Sequence, residues 1–154
     1  MAGRPAVVDT GGMRVRQYVS FTLFSEQMPA AEMARLAELE PDESDIRASR
    51  QVYPPLPAAH AWKVVCGGSG LTVDQQIAIV VGRLEPVATQ VSRLARHLAM
   101  NQGGARLHIV RYFDGNGGPG PAPSKPLGWR LDRGLLEFLR LCEAELTVDE
   151  YGPA

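Results

Sequence analysis

The stretch RVRQYVSFTLF, residues 14–24, places Val15, Val19, Phe21 and Leu23 at even spacing against Arg16, Ser20 and Thr22. Successive side chains of a strand point to opposite faces, so this spacing predicts a strand with one face buried and the other open. Such a strand needs neighbours to pair with and a second layer to cover its apolar side. The rest of the chain has to supply both.

Downstream, MPAAEMARLAELEP predicts a short amphipathic helix, with Pro29 in a first turn that tolerates it, Met33, Leu36 and Ala37 at helical spacing, and Pro41 past the end. Residues 42–59, charged and then proline-rich, predict a long exposed loop. HAWKVVC resumes as a strand with Trp62, Val64 and Cys66 on one face and Ala61, Lys63 and Val65 on the other. Thr72 with Gln75 has the form of a capping box. Apolar residues then keep helical spacing from Ile77 to Met100, interrupted by Pro86, which should kink or split the helix. Gly103 and Gly104 are expected to end it, and ARLHIVRYF predicts a third strand. The segment DGNGGPGPAPSKP, residues 114–126, predicts a mobile loop. Asp132 can cap a last helix containing Leu135, Leu136, Phe138, Leu139 and Cys142, and AELTVDEY closes as a fourth strand.

With 154 residues, 45% of them hydrophobic, the chain can bury a core without metal or disulfide. The expectation is a flexible leader, residues 1–13, and one α+β domain over 14–152. Its sheet would be mainly antiparallel, with about four strands and helices on one face. Two β-α-β units joined by the long proline-interrupted helix give it a ferredoxin-like character.

Lys and Arg total 16 against 17 for Asp and Glu, so net charge offers no broad attraction for nucleic acid or anionic membrane. The longest aliphatic run, Ile77–Val81, falls far short of the ~20 residues that span a bilayer, and the N-terminal dozen has no signal-like apolar stretch; a cytoplasmic protein is expected. VVCGGSGLTVDQQ, residues 64–76, begins like a phosphate-binding loop but has no lysine after Gly70 and has Val73 where a dinucleotide fingerprint needs glycine. It is read as a turn into a Thr72-capped helix. In one strand His60 and Cys66 would lie roughly 20 Å apart, too far to pair, and Ser69 has no nucleophile elbow. His60, His97 and His108 lack metal-ligand spacing, so neither metal nor cofactor is expected, and Cys66 and Cys142 read as buried free thiols. Arg83, Arg93, Arg96 and His97 read as a solvated helix face.

YVSFTLF, the helix ending AELEP, HAWKV, the proline-interrupted helix, LHIVRYF and LDRGLLEFLRLCEAELTVDEY together resemble the bacterial domain of unknown function family numbered 4279, over about residues 14–152. The resemblance implies an α+β fold and brings no activity or catalytic residue with it. The residues themselves favour a non-catalytic protein-binding or regulatory module. Its open sheet face would carry Arg16, Ser20, Thr22, Lys63, Thr147, Asp149 and Tyr151, and it would engage a protein partner or a second copy of the chain. Binding residues are expected among Lys63, Asp149, Tyr151, Trp62 and Trp129, although tryptophans on strands and at helix entrances are mostly core residues, which is the favoured reading of Trp62 and Trp129. The alternative is a small-molecule enzyme in which Asp149, Tyr151 and His108 converge only in the fold.

Overall fold

In a computed structural model the protein is described over residues 6–9, 13–50, 53–67, 70–115 and 127–152. Among these the strands are β1 (Ala6–Asp9), β2 (Met13–Ser25), β3 (Glu43–Asp45), β4 (His60–Cys66), β5 (Gly103–Gly115) and β6 (Glu145–Tyr151). The helices are α1 (Ala30–Ala37), α2 (Val73–Leu84), α3 (Ala88–Ala99) and α4 (Arg133–Leu141). The strands form one mixed sheet in the order β3-β4-β2-β5-β6. β5 occupies one edge of β2 along its full length, so β1 and β4 share the other edge end to end. Only β5 and β6 run parallel; every other pair is antiparallel.

The alternation in β2 has the consequence read from it. Val15, Val19, Phe21 and Leu23 are fully buried, together with Trp62 and Val64 of β4 and Leu107 and Ile109 of β5. The helices cover this one face: α2 packs on β2 and β4, α3 on β5 and β2, and α1 on β4. α4 adds Leu135, Phe138 and Leu139 to the same core, with the Phe138 ring 5.5 Å from that of Phe21. At about 25 cal/mol per Å² of apolar surface removed from water, each such side chain contributes on the order of 2 kcal/mol.

Several expectations need correction. The sheet has more than four strands, because two stretches read as irregular also pair. Ala6–Asp9, inside the supposed leader, carries a β-branched Val7-Val8 pair and lies against Arg14–Gln17. Glu43–Asp45, inside the supposed loop, is held against Lys63–Ala61 because β4 offers an unpaired edge there. Of the two β-α-β units, only β5-α4-β6 closes on a parallel neighbour, since β2 and β4 around α1 are antiparallel. The long helix is split at Pro86, whose missing N–H breaks the ladder and leaves a 3₁₀ turn, Glu85–Val87, between α2 and α3. Gly103 and Gly104 do not end α3 but begin β5, directly after the turn at Met100, Asn101 and Gln102.

The helix starts follow their caps. The Thr72 hydroxyl accepts from Gln75 N–H while the Gln75 side chain accepts from Thr72 N–H, which satisfies two orphan donors of α2. The Asp132 carboxylate accepts from Leu135 N–H at 2.8 Å and starts α4. Residues 68 and 69 of the glycine-rich turn and 116–126 of the glycine- and proline-rich segment lie outside the described residues.

Candidate functional site

Among the described residues no helix covers the face of the sheet opposite the helix layer, and the register lays its side chains out in rows. One row runs Glu43, Lys63, Thr22, Arg106, Glu145 from β3 to β6, an acid, a base, a hydroxyl, a base and an acid. The next runs Val65, Ser20, His108, Thr147, then Tyr18, Val110, Asp149, and last Arg16, Tyr112, Tyr151. Alternate residues of each strand build this surface by the same period-2 rule that buries the other half.

The charges of the face are largely paired within it. Lys63 Nζ lies 3.0 Å from Asp45, Arg106 3.3 Å from Glu145 with its guanidinium 4.8 Å above the Phe24 ring, and His108 Nε2 2.7 Å from Asp149. Arg16 reaches Asp114 at 2.9 Å and sits 5.0 Å above Tyr112, whose ring stacks on Tyr151 at 5.0 Å and 14°. These ring contacts are each worth about 0.5–1.5 kcal/mol beyond buried area.

At the end near β3 and β4 the face deepens into a cavity of about 910 Å³. Ser20 and Thr22 lie at its floor, Tyr18, Val65, Ala61, Phe24 and His108 line it, and Glu26, Glu43, Lys63 and Arg106 border it. Ala58 and Ala59, just before β4, wall it, and Arg47 pins them by donating from Nε to Ala58 O and from its backbone N–H to His60 Nδ1. Burial, then the charges of Tyr112, Glu43, Tyr151 and Asp149, push the Tyr18 phenol above its ordinary value, so it is a neutral hydroxyl at physiological pH. A second hollow of about 700 Å³ lies between α2 and the entry to α4, lined by Asp74, Ile77, Ala78, Val81, Arg130 and Leu135. The Asp74 carboxylate already accepts from Arg130 N–H there.

Of the residues named from sequence, Lys63, Asp149 and Tyr151 stand on the open face. Trp62 does not: it is fully buried under the helices, with Nε1 donating to Leu39 O at 3.0 Å, because its strand position faces the core. Trp129 is half-buried against the same core. The alternative trio is only partly assembled, since His108 and Asp149 meet while Tyr151 is engaged by Tyr112. Ser20 stands opposite His108, and no hydrogen bond joins them. The free thiols of Cys66 and Cys142 are buried, and burial, only partly opposed by Arg96, pushes Cys142 up to about 12, so it is an inert thiol rather than a nucleophile. Among the described residues no group of His, Cys, Asp and Glu could hold a metal, and no helix is long and apolar enough to cross a membrane.

Sequence reasoning missed a polar seam on the helix side of the sheet. Arg111, 5% exposed, donates to Gln17 Oε1 and Glu150 Oε1, each at 3.3 Å, and lies over the Phe113 ring. Gln17 donates to Leu71 O and accepts at its own carbonyl from Gln76 Nε2. The seam fastens Leu71, at the end of the glycine-rich stretch, to β2. Its signal was Arg111 itself, an arginine in register with Leu107, Ile109 and Phe113.

The family model described as "Domain of unknown function (DUF4279)" matches residues 15–153. No curated protein and no solved structure matches the chain.

Proposed function

We propose that this chain, which belongs to the DUF4279 family, is a non-catalytic binding module that engages another protein through its open sheet face. The observation that carries the reading is the state of that face. Its basic side chains are already spent on acidic neighbours of the same sheet, Tyr112 and Tyr151 are stacked side by side, and among the described residues no nucleophile stands hydrogen-bonded to a base. Catalysis needs a poised group with an unsatisfied demand on substrate, whereas recognition needs a preorganised mixed surface with aromatic anchors. The open face has the second character. Partly exposed pairs of this kind contribute about 0–1 kcal/mol to stability but govern encounter and specificity.

The test compares capture from lysate by the unaltered chain, by an open-face variant, Lys63→Glu with Asp149→Arg, and by a helix-face variant, Arg93→Glu. The expected result is one captured protein, or a second copy of the chain, held by the unaltered chain and by Arg93→Glu but lost from the open-face variant at nearly unchanged Tm. Capture that survives in the open-face variant and fails in Arg93→Glu would overturn the reading.

One observation favours a second reading, an enzyme acting on a small molecule: the His108–Asp149 contact at the cavity rim is the arrangement of a general base and its orienting carboxylate. That reading requires a metabolite that raises Tm saturably and ceases to do so in Asp149→Asn, with no protein captured.

A further inference from the structure

Two features of the cavity are left over once the pairing on the open face is accounted for. The first is a pair of hydroxyls. Ser20 and Thr22 are 4% and 8% exposed, both line the cavity, and neither side chain has a hydrogen-bond partner among the described residues. Neither oxygen is among the fully buried atoms left without a partner, so both hydroxyls keep contact with the cavity, where a polar group from outside can complete their hydrogen bonding.

The second is charge. Lys63 is taken by Asp45 and Arg106 by Glu145, while Glu43, Lys63's neighbour in the row, has neither. Glu43 and Glu26 therefore border the cavity with no ion pair or side-chain hydrogen bond of their own among the described residues. The uncommitted charge at the site is negative. An acidic ligand would have to strip Lys63 or Arg106 from its partner, whereas a cationic one finds its counter-charge waiting.

Ammonium and guanidinium groups are donor-only, and hydroxyl oxygens and carboxylates are the acceptors they require. A basic side chain also brings an aliphatic stem, and Ala61, Val65 and the Tyr18 ring supply apolar wall for one. We propose that this cavity receives a lysine or arginine side chain presented by the protein that docks on the open face. The proposal rests on the protein-binding reading of that face and adds what the partner must carry. Ser20 and Thr22 accept from its donors, Glu43 and Glu26 neutralise it, and Ala58 and Ala59 close one side of the seat.

The test is an NMR titration of the chain with the capped tripeptides acetyl-Gly-Arg-Gly-amide, acetyl-Gly-Lys-Gly-amide and acetyl-Gly-Glu-Gly-amide, beside agmatine as a free amine. A basic tripeptide is expected to shift the Ser20, Thr22 and Lys63 amides and to bind at least fivefold more weakly to Glu43→Gln with Glu26→Gln, and to Thr22→Val. Asp74→Asn, in the second hollow, should bind as the unaltered chain does. Tighter binding of the glutamate peptide, lost in Thr22→Val, would overturn the cationic assignment and leave the face a binding surface. Agmatine binding tighter than the arginine peptide would overturn the assignment to a protein side chain. Failure of every tripeptide, while capture of the partner still depends on Lys63 and Asp149, would overturn this proposal alone; failure of both experiments would remove the protein-binding reading with it.

Discussion

At the scale of single residues, position in the pleat decides role. Trp62 and Lys63 are neighbours in sequence, yet one is core and the other surface, because consecutive side chains leave a strand on opposite sides. The alternation made Lys63 legible as an open-face residue, and the same rule, followed strictly, places Trp62 inside. What alternation did not reveal was Arg111, since an arginine at a core position is intelligible only once Gln17 and Glu150, 94 and 39 residues away in sequence, are seen beside it. Among the described glycines Gly103 is the most tightly fixed in identity. A Cβ there would stand 2.3 Å from Phe24 O and 3.2 Å from Leu98 O, both backbone atoms, so β5 could not keep its register with β2. Gly103→Ala is expected to destabilise by at least the 1–3 kcal/mol typical of overpacking, read as a lower midpoint in urea at unchanged slope. A midpoint unchanged from the native chain would show that the strand start yields freely.

At the scale of elements, long periodic stretches were legible and short paired ones were not. β2, α1, β4, β5, α4 and β6 announce themselves by spacing and caps, and Pro86 marks the break between α2 and α3. β3 could not be read, because three residues carry no period and its strand character comes entirely from the free edge of β4. The corner that holds it is Asp42, which accepts from Val65 N–H at 2.7 Å and from Arg83 at the end of α2, while its own N–H donates to Lys63 O. Burial works against ionisation of Asp42, but Arg83 and the Val65 N–H outweigh it and hold the carboxyl below its ordinary value. A group more acidic folded than unfolded lends stability above its unfolded pKa and loses it as pH falls through the folded one. Asp42→Asn should thus cost about 1 kcal/mol at neutral pH, a magnitude limited by partial exposure, and the gap in Tm between the two proteins should narrow as pH falls through and below the usual aspartate range. A gap constant with pH would show that the carboxylate charge contributes nothing to this corner.

At the scale of the whole molecule, one sheet divides the protein into a helix-covered core and an uncovered face, and that division was legible from the β2 alternation alone. The cavity was not, because its floor comes from β2, its borders from β3, β4 and β5, and its wall from a loop that nothing in the local sequence sends there. Strand order escaped for the same reason: pairing is set by tertiary competition for edges, and no single segment encodes it. On the proposed function, the working surface is the open face and not the helix layer. A photo-crosslinking amino acid introduced singly at Lys63, at Tyr112 and, on the exposed side of α2, at Ile79 tests this directly in lysate. A discrete protein adduct is expected from Lys63 and from Tyr112 and none from Ile79. An adduct from Ile79, with none from either open-face position, would contradict it.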